Sequence, residues 1–248
     1  MFVVAGGVVL LAAVLSACGS PDLDEAPVER KSFALKGRTL TITAENSSVE
    51  LVPADVRRVE VERQVDGWVM LGSGPDPVWR MKGDTLTLGV TCDAVSSDCV
   101  SRHRVKVPRD VTVKVDADNG RVSASGFATP LELSSDNGGV VVRDARGPLK
   151  LGSDNGSIVA ERISATSVIT RSDSGSVRLE FSGVPDLVDS VSDNGGVTIG
   201  LPAGDRAYAV DATTDNGRVS VDVPRSDTST HVVKVRTDNG QVTVRSAN

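Results

Sequence analysis

Aromatic residues make up only 3% of this 248-residue chain: one tyrosine, four phenylalanines and two tryptophans. A core so poor in rings must be built from aliphatic side chains. The abundance of Val, Gly, Ser, Thr and Asp suits many short strands joined by tight turns, not a helical bundle. Basic residues are also in deficit, 27 Lys and Arg against 33 Asp and Glu, for a net charge of −6. They are scattered among acids, which argues against a nucleic-acid partner, since phosphate binding needs clustered cations. The two histidines, His103 and His231, lie in polar strand contexts and are expected at the surface. The length suits one large all-β domain or two small ones.

Charge is absent from the first 17 residues, MFVVAGGVVLLAAVLSA. The run is short for a membrane-crossing helix and suits the apolar region of a signal peptide, residues 1–17. The basic residues that usually precede such a region are missing, which points to a start further upstream. Leu15–Cys18, LSAC, resembles the lipobox of bacterial lipoproteins. That resemblance implies cleavage before Cys18, lipid (palmitate-type) attachment to its sulfur, and a lipid-anchored place on the extracytoplasmic face of the cell membrane. Residues 18–37 then read as a flexible, Pro-containing tether. Three cysteines are an odd number. Cys92 and Cys99 close a short loop, TCDAVSSDCV, and are expected to be oxidised outside the cytoplasm, with two unrelated reduced thiols as the alternative. Cys18 is left for the lipid.

One tripeptide recurs. Asp118-Asn119-Gly120, Asp136-Asn137-Gly138, Asp154-Asn155-Gly156, Asp193-Asn194-Gly195, Asp215-Asn216-Gly217 and Asp238-Asn239-Gly240 are joined by an Asp-Ser-Gly copy at Asp173, at intervals of 18 to 23 residues. A weaker copy starts at Glu45, with Ser47 in place of glycine. Apolar residues alternate on both sides, as in Leu131 and Leu133 before Asp136 and Val140 and Val142 after it. That is two half-buried strands per repeat, with Lys114, Glu132 and Lys150 facing water. The residue before each Asp is small. Repeat length grows only at the opposite turn (GFATP, ARGP, SGVPD). Asn and Gly accept positive φ and an Asp side chain can bond the backbone two residues on, so the tripeptide reads as a structural turn.

Two all-β architectures fit. In a β-solenoid each repeat is one two-strand coil with an Asp-Asn-Gly corner, and like residues stack at about 4.8 Å. In an antiparallel meander or sandwich each Asn-Gly is a hairpin turn. Recurrence of the same polar triplet in register favours the parallel, β-helix-like solenoid. Residues 113–247 carry the regular repeats. Residues 52–112 are less regular and read as a terminal cap held by the Cys92–Cys99 loop. The C-terminal repeat has no comparable cover beyond the charges of Arg236 and Arg245.

The segments GDTLTLGV and RVKVPRDVTVKVDADNGRVSASG, followed by the Asn-Gly repeats, resemble the bacterial adhesin family of β-strand repeats, a domain of unknown function. The resemblance covers residues 38–247. It implies a solenoid-like domain outside the membrane with an adhesive role, and it brings no catalytic residues with it.

Neither a cofactor nor a metal is expected. The nine-residue Gly-Gly-x-Gly-x-Asp repeat of calcium-binding β-rolls is absent, and Ca²⁺ wants six to eight oxygens where each coil offers one Asp. No repeat departs from the pattern to place a carboxylate, His or Lys inward, so the chain is not expected to be an enzyme. Trp68 and Trp79, in DGWVMLGSGPDPVW, are the candidate ligand contact, with packing beneath the cap as the alternative. The expected function is an envelope lipoprotein presenting a non-catalytic binding module, its partners the membrane and a surface glycan. A structural or stress-signalling component with an envelope-protein partner is the second reading, and a carbohydrate-active enzyme on a β-helix the third. Oligomeric state is left open.

Overall fold

The computed structural model describes residues 21–247, and all their regular elements are β-strands. The signal peptide expected at 1–17 and the lipidated Cys18 lie outside the described residues. Strand β1 (Glu29–Phe33) precedes a first coil, β2 (Thr39–Glu45) and β3 (Ser47–Ala54). Two long strands follow, β4 (Val59–Lys82) and β5 (Thr85–Pro108). Next come the coils β6 (Thr112–Ala117) with β7 (Val122–Ser125), β8 (Leu131–Ser135) with β9 (Val140–Arg143), and β10 (Leu149–Ser153) with β11 (Ile158–Ile163). The remainder are β12 (Ser167–Ser174) with β13 (Val177–Phe181), β14 (Leu187–Asn194) with β15 (Val197–Pro202), β16 (Ala209–Asn216) with β17 (Val219–Asp222), and β18 (Val232–Asn239) with β19 (Val242–Ala247).

The fold is a β-solenoid. First strands of the coils pair with first strands, second with second, in parallel and in register: Leu131 lies between Val113 and Leu149, and Val140 between Val122 and Ile158. The two strands flanking a tripeptide do not pair with each other, which excludes the hairpin meander. The period-two pattern sets the burial. In β8, residues 131, 133 and 135 are buried and 132 and 134 are not. Inward side chains from both ladders form one core running the length of the stack. Each fully buried Val or Leu there contributes about 1.5–3 kcal/mol from removal of apolar area from water.

The irregular segment expected at 52–112 covers one end of the stack. Strand β5 supplies a complete coil by itself: Thr85–Gly89 pairs with β2 and Ser101–Pro108 with β3, both in parallel. Strand β4 lies antiparallel along β5, and β1 antiparallel on the start of β4, with Phe33 opposite Val59 and Glu29 opposite Arg63. The tether is therefore shorter than the 18–37 read from composition, because 29–33 are a strand of the cap. Even residues 22–26 are held. The Asp22 amide donates to Asp66 Oδ2 at 2.6 Å, Gln64 Nε2 donates to the Leu23 and Ala26 carbonyls, and Arg102 pairs with Asp24 at 2.7 Å.

At the far end the stack departs from chain order. The last coil, β18–β19, is inserted between β14–β15 and β16–β17, so the coil of Asp215 is outermost. The side chains favour this crossing. It puts Lys234 between Asp189 and Asp211, where chain order would set the two acids side by side. It also puts Arg245 between Gly200 and Asp222. Outermost β16 and β17 each have a strand neighbour on one side only, and Val219 is 40% exposed although its counterparts Val242, Val197 and Val177 are buried.

Candidate functional site

The tripeptides line one corner of the solenoid, and three cross-coil interactions hold it. In four coils the small residue before the Asp donates its hydroxyl to the glycine carbonyl of a neighbouring coil: Ser135 Oγ to Gly120 O, Ser153 Oγ to Gly138 O, Thr237 Oγ1 to Gly195 O and Thr214 Oγ1 to Gly240 O, each 3.0 Å. The asparagines form a carboxamide ladder. Asn119 Nδ2 donates to Asn46 Oδ1 at 3.0 Å, Asn137 to Asn119 at 3.0 Å and Asn155 to Asn137 at 3.1 Å. Beyond the interruption at Ser174, Asn239 donates to Asn194 at 3.0 Å and Asn216 to Asn239 at 3.1 Å. Glycine is needed for close approach, since a Cβ on Gly138 would collide with the Gly120 carbonyl and one on Gly156 with that of Gly138.

The turn mechanism expected from the residues holds at some glycines and not at the asparagines. Gly120, Gly175 and Gly240 have φ of 135°, 155° and 157°, but none of Asn119, Asn137, Asn155, Asn194, Asn216 and Asn239 has positive φ, whereas Asn46, in the weak copy, has φ of 50°. What recurs is cross-coil bonding. The aspartates project outward in a row, and nothing in the structure explains why Asp holds that position. Asp136 is raised above the usual carboxylate range, first by desolvation and then by Asp154, Asp116 and Asp118. Among the described residues no group of three or more His, Cys, Asp or Glu side chains is placed to hold a metal ion.

The corner is interrupted at β5. Leu88 pairs with Ala44 and His103 with Val49, positions that in later coils stand five residues apart, as Ala117 and Val122 do. In β5 they stand fifteen apart, so ten extra residues leave the stack at the corner that elsewhere tolerates none. Strand β4 follows this excursion, pairing Gly67 with Cys99 and Ser73 with Asp93, and the two together form a projecting arm. The Cys92–Cys99 disulfide, Cα–Cα 6.4 Å, closes the base of the β5 limb.

Between the arm, the docked N-terminal segment and the first corner lies an open groove of about 540 Å³. Its walls include Leu23, Asp24, Asn46, Ser48, Arg102 and Asn119. It offers an ion pair, hydroxyls and the end of a carboxamide ladder.

Trp68 and Trp79 are not brought together. Trp68 lies half-buried in the arm opposite Asp98, and Trp79 lies on the cap opposite Leu88. The Trp79 ring packs against the core under the Arg63 guanidinium, 3.9 Å from its centroid, with Lys31 Nζ at 5.5 Å. Arg63 is itself buried and paired with Glu29. Trp79 is thus a packing residue.

His103 is fully buried, against the surface position expected, and His231 is half-buried with Nδ1 2.9 Å from the Pro185 carbonyl. His103 Nδ1 is 2.6 Å from Ser47 Oγ. A serine–imidazole pair is what nucleophilic catalysis would use, but both residues face the core with no exposed surface to speak of. Burial first, then the Arg63 charge, lower the imidazole to about 3, so it is neutral. His103 Nε2 and Arg63 Nη1, opposite each other in register, are both left without a partner.

Sequence reasoning missed the arm tip (Met70, Leu71, Val95), the groove, and Asn46 as the foot of the ladder. The ten uncounted residues between TLTL and HRVKV were the available signal, had β5 been recognised as a coil.

No family profile and no curated protein matches this chain. Among solved structures, a candidate adhesin from Bacteroides fragilis is 14% identical and covers 89% of this chain and 97% of its own, with a TM-score of 0.53. A candidate cell adhesion protein from Clostridium sporogenes (9% identical, 90% and 100% covered) scores 0.41, and a candidate adhesin from Parabacteroides merdae (13%, 88% and 95%) scores 0.36. At these identities the Bacteroides likeness speaks for the fold alone.

Proposed function

We propose that this chain is a bacterial envelope lipoprotein, held by acylated Cys18 on the extracytoplasmic face of the membrane, that binds a surface polysaccharide without catalysis. The observation that carries this reading is the ten-residue excursion of β5. A functional site tends to break a repeat that is otherwise locally consistent. The excursion opens a concave polar groove next to the segment that follows Cys18. Sugar hydroxyls would find donors and acceptors in Arg102, Asp24, Ser48 and Asn119, with Trp68 as the nearby half-exposed ring. The adhesive role given to proteins of similar fold agrees with it by analogy only.

The test is binding of the Cys18→Ser protein to an array of cell-wall and host polysaccharides. Binding lost in Arg102→Ala and in Ser48→Ala, with the melting temperature kept, supports the groove. Silence across the array would abandon the glycan.

The exposed outer edge of β16 and β17, with Val219, favours a second reading in which an envelope protein caps the open end. Capture of a partner by the wild type and not by Val219→Lys would support it.

A further inference from the structure

The arm ends in an apolar, uncharged tip. Leu71 and Val95 are each 79% exposed and Met70 is 55% exposed. Met70 pairs with Ser96 and Gly72 with Ala94, which sets Leu71 directly opposite Val95. Single exposed apolar residues are ordinary; three adjacent ones at the end of a disulfide-closed arm mark a contact surface. Turn chemistry does not account for them. Leu71 has φ of 56°, a conformation that Gly or Asn adopts more easily than leucine. No charged residue occurs at 67–75 or 94–97. Asp66, Asp76, Asp93 and Asp98 form a collar nearer the base.

The place of this tip names its occupant. Pro21 and Cys99 line the same groove, and the Asp22 amide is bonded to Asp66 at the arm's base. Cys18 precedes Pro21 by three residues, a reach of at most about 10 Å. Val95 stands four residues from Cys99, roughly 13 Å along a strand. An acyl chain on Cys18 and the tip thus have similar reach from the walls of one groove. We propose that Met70, Leu71 and Val95 dip into the interfacial layer of the bilayer that holds Cys18, making a second membrane contact beside the lipid. The proposal rests on the lipid-anchor reading. Trp68, two residues from Met70, is of the type enriched at that interface. The acidic collar stays in water, limits the depth, and makes the contact weaker on strongly anionic bilayers.

The experiment uses the mature protein purified with its membrane anchor and reconstituted in phosphatidylcholine vesicles containing brominated acyl chains. Val95→Trp adds a reporter at the tip, read as the emission in excess of the otherwise unchanged protein. Loss of roughly half of that added emission or more, less with phosphatidylglycerol present, is the expected result. Met70→Ser with Leu71→Ser should restore the emission. Added emission that bromine leaves unquenched, or quenching indifferent to the serine pair, overturns the tip contact. Mass spectrometry of the same sample reports separately on Cys18. Should that residue be unmodified, the anchor reading fails, and the same quenching with vesicles added to the free protein still decides the tip.

Discussion

Arg245 on β19 donates to Glu180 on β13 two coils away, Nη2 to Oε1 at 2.6 Å, passing over Gly200 of the β15 strand between them. A Cβ on Gly200 would fall into the Glu180 carboxylate, whose far end can swing aside only by giving up the arginine. The pair is partly exposed, so it contributes no more than about 1 kcal/mol. Gly200→Ala should therefore be neutral or destabilising by up to about 1 kcal/mol in the wild type. In a Glu180→Ala background the same change should stabilise by about 0.4–1 kcal/mol, through the unfolded chain's lost freedom. Urea midpoints of the four proteins in that cycle measure the change of sign.

The crossed coil order can be read chemically. Thr198 is opposite Thr243, and Thr243 opposite Ser220, so Thr198 and Ser220 are two strands apart. Neighbouring strands lie about 4.8 Å apart and a disulfide needs Cα atoms roughly 4.4–6.8 Å apart. Thr198→Cys with Thr243→Cys should oxidise to an intramolecular bridge, visible by mass after digestion. Thr198→Cys with Ser220→Cys should stay reduced. The reverse pattern would restore chain order.

Much of the stack was legible because its rules are local and repeated. Alternating Val and Leu about each tripeptide fix which side chains enter the core, and the pattern alone places positions 131, 133, 140 and 142 inward. What decided between solenoid and meander is not local. Parity is the same in both, and only the pairing of β8 with β6 and β10 separates them. The swap of the last two coils was hidden because all coils share one inward pattern. Its cues are single outward residues, Gly200, Arg245, Asp211 and Lys234, whose partners are set by the fold. His103 was misplaced for a related reason. A histidine among Arg102, Arg104 and Lys106 reads as surface, yet it occupies the inward slot stacked on Val49. The tryptophans, eleven residues apart in one strand, read as one contact region, but the β4 arm carries Trp68 away from Trp79. The groove depends on the docking of residues 21–24, for which composition suggested only a tether.

Where Ser174 replaces asparagine, the carboxamide ladder stops. It lies between Asn155, whose coil it joins through the bond from the Ser174 amide to the Asp154 carbonyl, and Asn194, its register partner. Asn194 Nδ2 instead reaches the Asp173 carbonyl at 3.4 Å. Ser174→Asn should join the two halves and stabilise the fold by about 0.5–1 kcal/mol, the net value of an exposed hydrogen bond or two. Asn137→Ala, which removes the bonds donated to Asn119 and to the Asp118 carbonyl and the one accepted from Asn155, should cost about 1–2 kcal/mol. Chemical denaturation of both variants measures these shifts, and a Ser174→Asn protein no more stable than the wild type would show that the ladder contributes little.

The buried imidazole gives the fold a pH dependence above the carboxylate range. His103 is held neutral at about 3 by burial and by the facing Arg63, with Ser47 the hydroxyl against its Nδ1. Unfolding returns it to the ordinary value of 6.5. Between these values the unfolded chain takes up a proton that the folded chain refuses, so stability is greatest above 6.5 and is lost as pH falls toward 3. The slope approaches about 1.4 kcal/mol per pH unit. Glu62 and Glu132, whose carboxyls are lowered chiefly by hydrogen bonds from Arg30 and from Lys150, lose their contributions only at lower pH. The interval from 6.5 to 5 therefore isolates the histidine. Urea midpoints of the wild type should drop across it, while those of His103→Gln, less stable at neutral pH, should stay nearly level. A wild-type midpoint that is flat from 6.5 to 5 would mean that His103 gains its proton without unfolding the cap, and that water reaches the Arg63–His103 pair in the native state.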